Sequence, residues 1–259
     1  MPADDIEVKM DIYGLLGFPL GHSFSASYFH EKFLREHICA DYRNFACCDV
    51  HEAIGMLRKL ENLKGFNVTI PHKQTVMPFL ASVSEEAQAI GAVNVVKVER
   101  DSVGAPIFVG YNSDLVGFRE SIRPMLGSAH RSALVLGTGG ASKAVVYGLH
   151  QLGIATLGVS RTEKEGCVTY EQLTEQLIRK HLVVVNCTPL GMYPKVNAAP
   201  DIPYEALTSD HVLFDLVYNP DVTQFMRRGM ERGARVKNGL EMLHRQAEAA
   251  WDIWNGKVD

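Results

Sequence analysis

Short apolar runs of strand length alternate along this chain with stretches whose apolar residues return every three or four positions. Residues 11–17 read as a strand running into a Gly/Pro turn, and residues 41–45 as a second strand. Between them Tyr28, Phe29, Phe33 and Leu34 recur at helical spacing after Ser25. Ile54, Leu57 and Leu60 mark a second helix, and residues 65–70 a third strand. Pro71 has no N–H to give a central ladder, so it cannot extend that strand. Ser82 with Glu85 forms a capping box that predicts a short helix to Ile90, and residues 93–98 and 107–110 read as a strand pair.

A fresh βαβ pattern begins at Ser132. Residues 133–136 form a wholly apolar strand, as expected in a parallel sheet covered on both faces. A glycine turn follows, then a helix with Ala144, Gly148 and Leu152 on one side, and further strands at 156–160, 182–186 and 212–217. Residues 240–254 close the chain as a helix, with Leu240, Leu243, Ala247, Ala250, Trp251 and Trp254 on one face. The alternation predicts an α/β fold with mostly parallel sheets. An N-terminal domain runs to about residue 113 and a Rossmann-like domain follows; on periodicity alone the last helix could serve either. Residues 1–9 read as a polar extension with a frayed end.

The chain has 259 residues, enough for one large or two modest cores, and its ordinary apolar fraction argues against disorder. A formal charge of −4 gives no electrostatic reason to expect nucleic acid or an anionic membrane as partner. The acidic start lacks the apolar stretch of a signal peptide, and no apolar run is long enough to span a bilayer. Cys39, Cys47, Cys48, Cys167 and Cys187 are odd in number and contain no C-x-x-C, so free buried thiols in a reducing cytoplasm are expected. The ten histidines show no metal-ligand spacing, so no metal is expected; His30, His37, His130 and His150 read as surface or helix residues.

The candidate chemistry lies in short phrases. Gly137 and Gly139 fit a G-x-G-x-x-G/A turn with Ser142 in the third place, so Gly137, Gly139, Gly140, Ala141 and Ser142 are expected to face a dinucleotide pyrophosphate. The next strand ends in Ser160, Arg161 and Thr162, without the acid that holds an NAD ribose. The planar fork of Arg161, with Lys164 near it in sequence, favours NADP; the alternative is a solvated surface charge. Lys73 closes Gly65-Phe66-Asn67-Val68-Thr69-Ile70-Pro71-His72-Lys73, and Asp114 closes Tyr111-Asn112-Ser113-Asp114. They are a candidate proton carrier and its partner, against an ordinary surface lysine and a helix-capping aspartate. Ser23 and Ser25 precede a helix and suit a carboxylate ligand or plain capping. Asn67, Thr69 and Asn94 are polar residues inside apolar runs, which either brace loops or bind a polyhydroxylated ligand.

In order, these phrases resemble the shikimate dehydrogenase family along nearly the whole chain. They are 17–25, the G-x-N-V-T-x-P-x-K motif at 65–73, Gly91-Ala92-Val93-Asn94, Asn112-Ser113-Asp114, the Gly137 turn, Ser160-Arg161-Thr162, 186–192, 215–218, and 238–243 with Gln246. The resemblance implies two α/β domains with an interdomain cleft: residues 10–113 plus 239–259 for substrate and catalysis, and residues 114–238 for NADP. It implies reversible reduction of 3-dehydroshikimate to shikimate with NADPH, a cytoplasmic step toward chorismate and aromatic amino acids, by a monomer or homodimer. Lys73 and Asp114 would be catalytic. Ser23, Ser25, Asn67, Thr69, Asn94, Tyr218 and Gln246 would line the substrate site. Ser160, Arg161, Thr162, Thr188 and Gly239 would join the glycine turn at the cofactor. The chain departs from the family pattern at Ala26, Ser113, Ser160, Pro189 and Glu241. The rival readings are a quinate/shikimate enzyme preferring NAD, a relative acting on another small acid such as an aminohydroxybenzoate-pathway member, and a catalytically silent cofactor-binding protein. Arg161, the full set of Ser, Asn and Thr residues, and the intact Lys73 and Asp114 argue against these in turn.

Overall fold

The computed structural model describes residues 10–21 and 24–257. The expected polar extension at 1–9 lies outside them. The chain divides into two compact units, one running to Asn112 and resuming at Ala250, the other Ser113–Ala249.

The first unit holds β1 (Asp11–Gly17), α1 (Phe24–Arg35), β2 (Ala40–Ala46), α2 (Val50–Leu57), β3 (Leu63–Val68), β4 (Ser82–Val83), α3 (Glu85–Ile90), β5 (Val95–Arg100) and β6 (Pro106–Tyr111). Its six-stranded sheet has the order β2-β1-β3-β5-β6-β4. β1 pairs parallel with β2 and β3, whereas β5 runs antiparallel to β3 and β6. β4 pairs parallel with β6, so β5 alone is reversed in an otherwise parallel sheet; the short β5–β6 connection leaves no room for a crossover helix. Leu16, Leu57, Leu63 and Phe66 are fully or almost fully buried in its core.

Two local expectations change here. The helix α3 is capped by Ser84, whose Oγ accepts from Ala87 N at 3.3 Å, and not by Ser82. Ser82 instead sits in β4, opposite Val109 of β6, which puts Glu85 at the first helical position. The end of β3 comes at Val68, so Thr69 and Ile70 already belong to the following turn.

The second unit holds α4 (Ser113–Ile122), β7 (Ser132–Leu136), α5 (Gly140–Gln151), β8 (Ala155–Ser160), β9 (Cys167–Thr169), α6 (Glu175–Lys180), β10 (Val183–Asn186), β11 (Val212–Asp215), α7 (Gln224–Met230), β12 (Arg235–Lys237) and the larger part of α8 (Leu240–Trp254). Its sheet order is β12-β11-β10-β7-β8-β9, with every pair parallel. Renumbered from β7, that is the doubly wound order whose switch point lies between the first and fourth strands, here β7 and β10. β10 and β11 are buried at every position, as strands covered on both faces must be. The short strands β9 and β12 and the short helices α6 and α7 carry too few residues to show a period.

The last helix is shared: Leu240–Ala249 counts with the second unit and Ala250–Trp254 with the first. Within the first unit, Trp254 lies 4.8 Å from the Tyr13 ring and donates from Nε1 to Val96 O at 3.1 Å. Ala247, Ala250 and Trp254 are buried, but Leu240 is exposed, being the helix's first residue.

Other expectations about burial also shift. His130 is buried: its Nδ1 accepts from Gly127 N at 2.8 Å and its Nε2 lies 3.1 Å from Asp210 O. The five cysteines are free, yet none is buried: Cys39 and Cys48, just outside the ends of β2, are exposed, and Cys47, Cys167 and Cys187 are partly exposed. Among the described residues no helix is long and apolar enough to cross a membrane, and no three His, Cys, Asp or Glu side chains gather as a metal site.

Candidate functional site

In the first unit, hydrogen bonds draw three separate phrases to one place. Val93 N donates to Lys73 O at 2.8 Å, Asn94 N to Tyr111 O at 3.1 Å, and Asn112 Nδ2 to Ala92 O at 2.8 Å. The turn carrying Lys73 is closed by His72 N donating to Thr69 O at 2.9 Å. His72 itself is buried and donates from Nε2 to Cys47 O at 2.7 Å, a tautomer required by a carbonyl that only accepts. Lys73 therefore leaves a backbone held on both sides, with its side chain partly buried. Sequence reasoning assigned His72 no part, although it stands next to Lys73.

The amide and hydroxyl residues of this unit are also joined. Asn67, on β3, accepts from Tyr42 Oη at 2.7 Å and donates from Nδ2 to Asn94 O at 3.3 Å. Asn94 is buried, and its carbonyl takes Val68 N as well, at 2.8 Å. Thr69 N donates to Leu16 O at 2.8 Å. Ser25 sits in the first turns of α1 and hydrogen-bonds Tyr42 through its side chain. Burial pushes the Tyr42 phenol far above its ordinary value, so it remains a donor. Ser23 lies outside the described residues. From the sequence Tyr42 reads only as part of a strand; its signal is an aromatic with a polar tip in a half-apolar segment.

In the second unit, Asp114 is buried in the first turn of α4, one residue inside the helix, and so is not its cap. Gln246 of α8 packs against Gly117 of α4. Tyr218 is 37% exposed on the segment after β11.

The carboxyl ends of β7, β8 and β10 carry the dinucleotide features. Gly137 adopts φ +100°, and a Cβ there would stand 3.1 Å from Thr188 Cγ2, so the turn after β7 needs glycine to pass the loop after β10. Gly139 caps α5 with no side-chain hydrogen bond, and a Cβ at Gly139 would meet open space. That leaves the first N–H groups of a 12-residue helix without a side-chain cap, behind an open approach, as a pyrophosphate requires. Ser142 Oγ donates to Gly139 O at 2.6 Å and closes the first helical turn. Ser160 is buried and accepts from Thr162 N at 3.4 Å, so the end of β8 is braced while Arg161 stands exposed. The chemistry of this donor set fits a dinucleotide with an extra phosphate on its ribose.

Gly239 answers a packing need. A Cβ there would fall 2.2 Å from Leu216 O, and Gly239 N donates to Val217 O at 3.1 Å. Thr188 belongs to a buried polar chain. Its Oγ1 donates to Asn186 Oδ1 at 2.7 Å, Asn186 Nδ2 donates to Asp215 Oδ1 at 2.9 Å, and Thr223 Oγ1 donates to Asp215 Oδ2 at 2.6 Å. Asp215 is fully buried, which raises its carboxyl to about 6 against the pull of these donors. The same burial, with Asp215 beside it, pushes the Cys187 thiol up. Asn186 and Asp215 both lie in phrases read from the sequence, but nothing local marks them as partners.

Comparison with known proteins agrees with this picture. The family profile described as "Shikimate dehydrogenase substrate binding domain" matches residues 15–96, all within the first unit. The shikimate dehydrogenase (NADP(+)) of Desulforamulus reducens is 34% identical, over 97% of this chain and 92% of its own length. The crystal structure of shikimate dehydrogenase from Aquifex aeolicus superimposes with a TM-score of 0.85 at 32% identity, covering 97% of this chain and 94% of that one. Quinate dehydrogenase from Corynebacterium glutamicum, solved in complex with NAD, also superimposes, with a TM-score of 0.84 at 26% identity, covering 95% and 94%. With a relative this similar matched over nearly its full length, the chain belongs to the shikimate dehydrogenase family.

Proposed function

We propose that this protein is an NADP-dependent oxidoreductase that interconverts 3-dehydroshikimate and shikimate in the pathway to chorismate and the aromatic amino acids. The observation that carries the reading is the gathering of the 65–73, 91–94 and 111–112 phrases by two backbone hydrogen bonds and the Asn112 side chain, with Asp114 two residues further along the chain. The first unit is the substrate side on this reading, and the second unit the cofactor side.

NADPH, when bound, supplies the hydride for carbon 3 of the substrate. Lys73 moves the accompanying proton at the oxygen on that carbon, through Nζ. Asp114 offers a buried carboxyl as acceptor for a substrate hydroxyl. Ser23, Ser25, Asn67, Thr69, Asn94, Tyr218 and Gln246 recognise the polyol acid. The turn from Gly137 to Ser142 would hold the pyrophosphate at the start of α5, and Arg161 would pair with the ribose phosphate. Ser160, Thr162, Thr188 and Gly239 support that half.

A single assay tests the whole: the absorbance of NADPH or NADH formed from shikimate or quinate, with NADP or NAD respectively. Turnover is expected with shikimate and NADP. Preference for quinate with NAD would replace this reading with that of the quinate enzyme.

A further inference from the structure

We propose that Tyr42 is a positioning residue for the substrate: its hydroxyl fixes which edge of the Asn67 amide meets a bound polyol acid. The inference rests on the proposed function and deepens it.

The Tyr42 ring has no freedom to wander. It is 2% exposed and stacks on Phe29 with centroids 4.8 Å apart and planes at 12°. Trp254 lies on the same cluster, 6.5 Å away. The phenol oxygen is thereby held at a fixed place beside β3.

Around it runs a hydrogen-bond chain with one direction. The Ser25 side chain hydrogen-bonds Tyr42 Oη, which can only accept there because its one hydrogen is committed to Asn67. Having accepted there, the phenol O–H donates to Asn67 Oδ1 at 2.7 Å. Asn67 Nδ2 then donates to Asn94 O at 3.3 Å, a carbonyl that can only accept. A flipped Asn67 would set its own oxygen against that carbonyl, so the chain permits one orientation. Nδ2 carries a second hydrogen, and this orientation makes Asn67 a donor to an incoming hydroxyl. Removing the Tyr42 oxygen releases Oδ1, lets the amide turn, and takes away the Ser25 acceptor. Tyr42 thus acts on the substrate through Asn67 and Ser25.

Tyr42→Phe keeps the ring stack and deletes only the oxygen. With wild type active on shikimate, its KM for shikimate is expected to rise about tenfold, the equivalent of one buried hydrogen bond. Its kcat and its KM for NADP should stay within about twofold, because the change lies in substrate orientation alone. On an Asn67→Ala background, Tyr42→Phe should add clearly less than it does alone, because only the path through Ser25 remains. An unchanged KM, or a full added effect on that background, overturns the proposal while leaving the function standing. If wild type does not turn over shikimate, the proposed function fails, and the Asn67 side-chain amide signals in a 1H–15N spectrum decide this point separately. They should exchange slowly in wild type and rapidly in Tyr42→Phe; equal exchange overturns the proposal. Should Tyr42→Phe not fold, 3-fluorotyrosine in place of Tyr42 must shift those signals, and no shift overturns it.

Discussion

Asn186 donates from Nδ2 to Asp215 Oδ1 at 2.9 Å, joining the carboxyl ends of the neighbouring parallel strands β10 and β11. The strand register sets the two residues directly opposite each other. From this bond the network reaches Thr188 on one loop and Thr223 on the other, so both loops take their position from one carboxylate. Val217 N adds a third donor at 3.0 Å, on the segment that leads to Tyr218.

Asp215 makes stability depend on pH. Its folded carboxyl lies at about 6, above the ordinary 3.8, so the folded state binds the proton more tightly than the unfolded one. The stabilisation is complete below pH ~4 and is lost as pH rises through about 6. Relative to Asp215→Asn, wild type should lose about 3 kcal/mol between those limits, since each pH unit is worth ~1.36 kcal/mol. Urea unfolding of both proteins across that range measures the difference. A flat difference would show that the carboxyl ionises as freely folded as unfolded.

Lys73→Met should abolish proton transfer while preserving substrate affinity. The loss in kcat is expected at about 10²–10⁴-fold, the range for removal of a general acid–base group. Steady-state rates paired with calorimetric binding of shikimate separate the two quantities. Retained turnover would remove Lys73 from its assigned role.

Arg161→Ala should weaken NADP selectively. The side chain is exposed at the end of β8, where no acid competes for the ribose. Loss of a charge-assisted phosphate contact predicts a KM for NADP higher by about 10- to 100-fold, with NAD nearly unchanged. Equal effects on both cofactors would mean that the residue does not read the phosphate.

Gly239→Ala should destabilise the second unit. The new Cβ would fall 2.2 Å from Leu216 O, and backbone cannot yield as a flexible side chain does. An overpacking cost of about 1–3 kcal/mol is expected, measurable as a lower urea midpoint at unchanged slope. By contrast, Gly139→Ala meets no atom within 4 Å and should leave stability little changed.

Trp254→Ala should unsettle the first unit from its chain end. Trp254 packs on Tyr13 and Phe29 and bonds Val96 O, so truncation opens a cavity and removes that hydrogen bond. A cost of about 3–5 kcal/mol follows from comparable aromatic deletions. Thermal unfolding should show a clearly lowered midpoint.

What the amino-acid order determined by itself was what local physics can express. Apolar runs bounded by glycine and polar residues located β7 and β10, because strands covered on both faces must be apolar throughout. The period of 240–254 located α8 residue for residue. The ordered phrases around Lys73, Asp114 and Gly137 named the family, since glycine turns and short polar motifs are contiguous along the chain. Tertiary structure alone decided what depends on distant partners. Ser84 rather than Ser82 caps α3 because β6 claims Ser82 as a strand residue. His130 is buried because Asp210, 80 positions away, comes to meet it. Tyr42 finds Asn67, and Asn186 finds Asp215, only once parallel strands bring them into register, and a hydrogen bond between strands leaves no mark on the spacing of either.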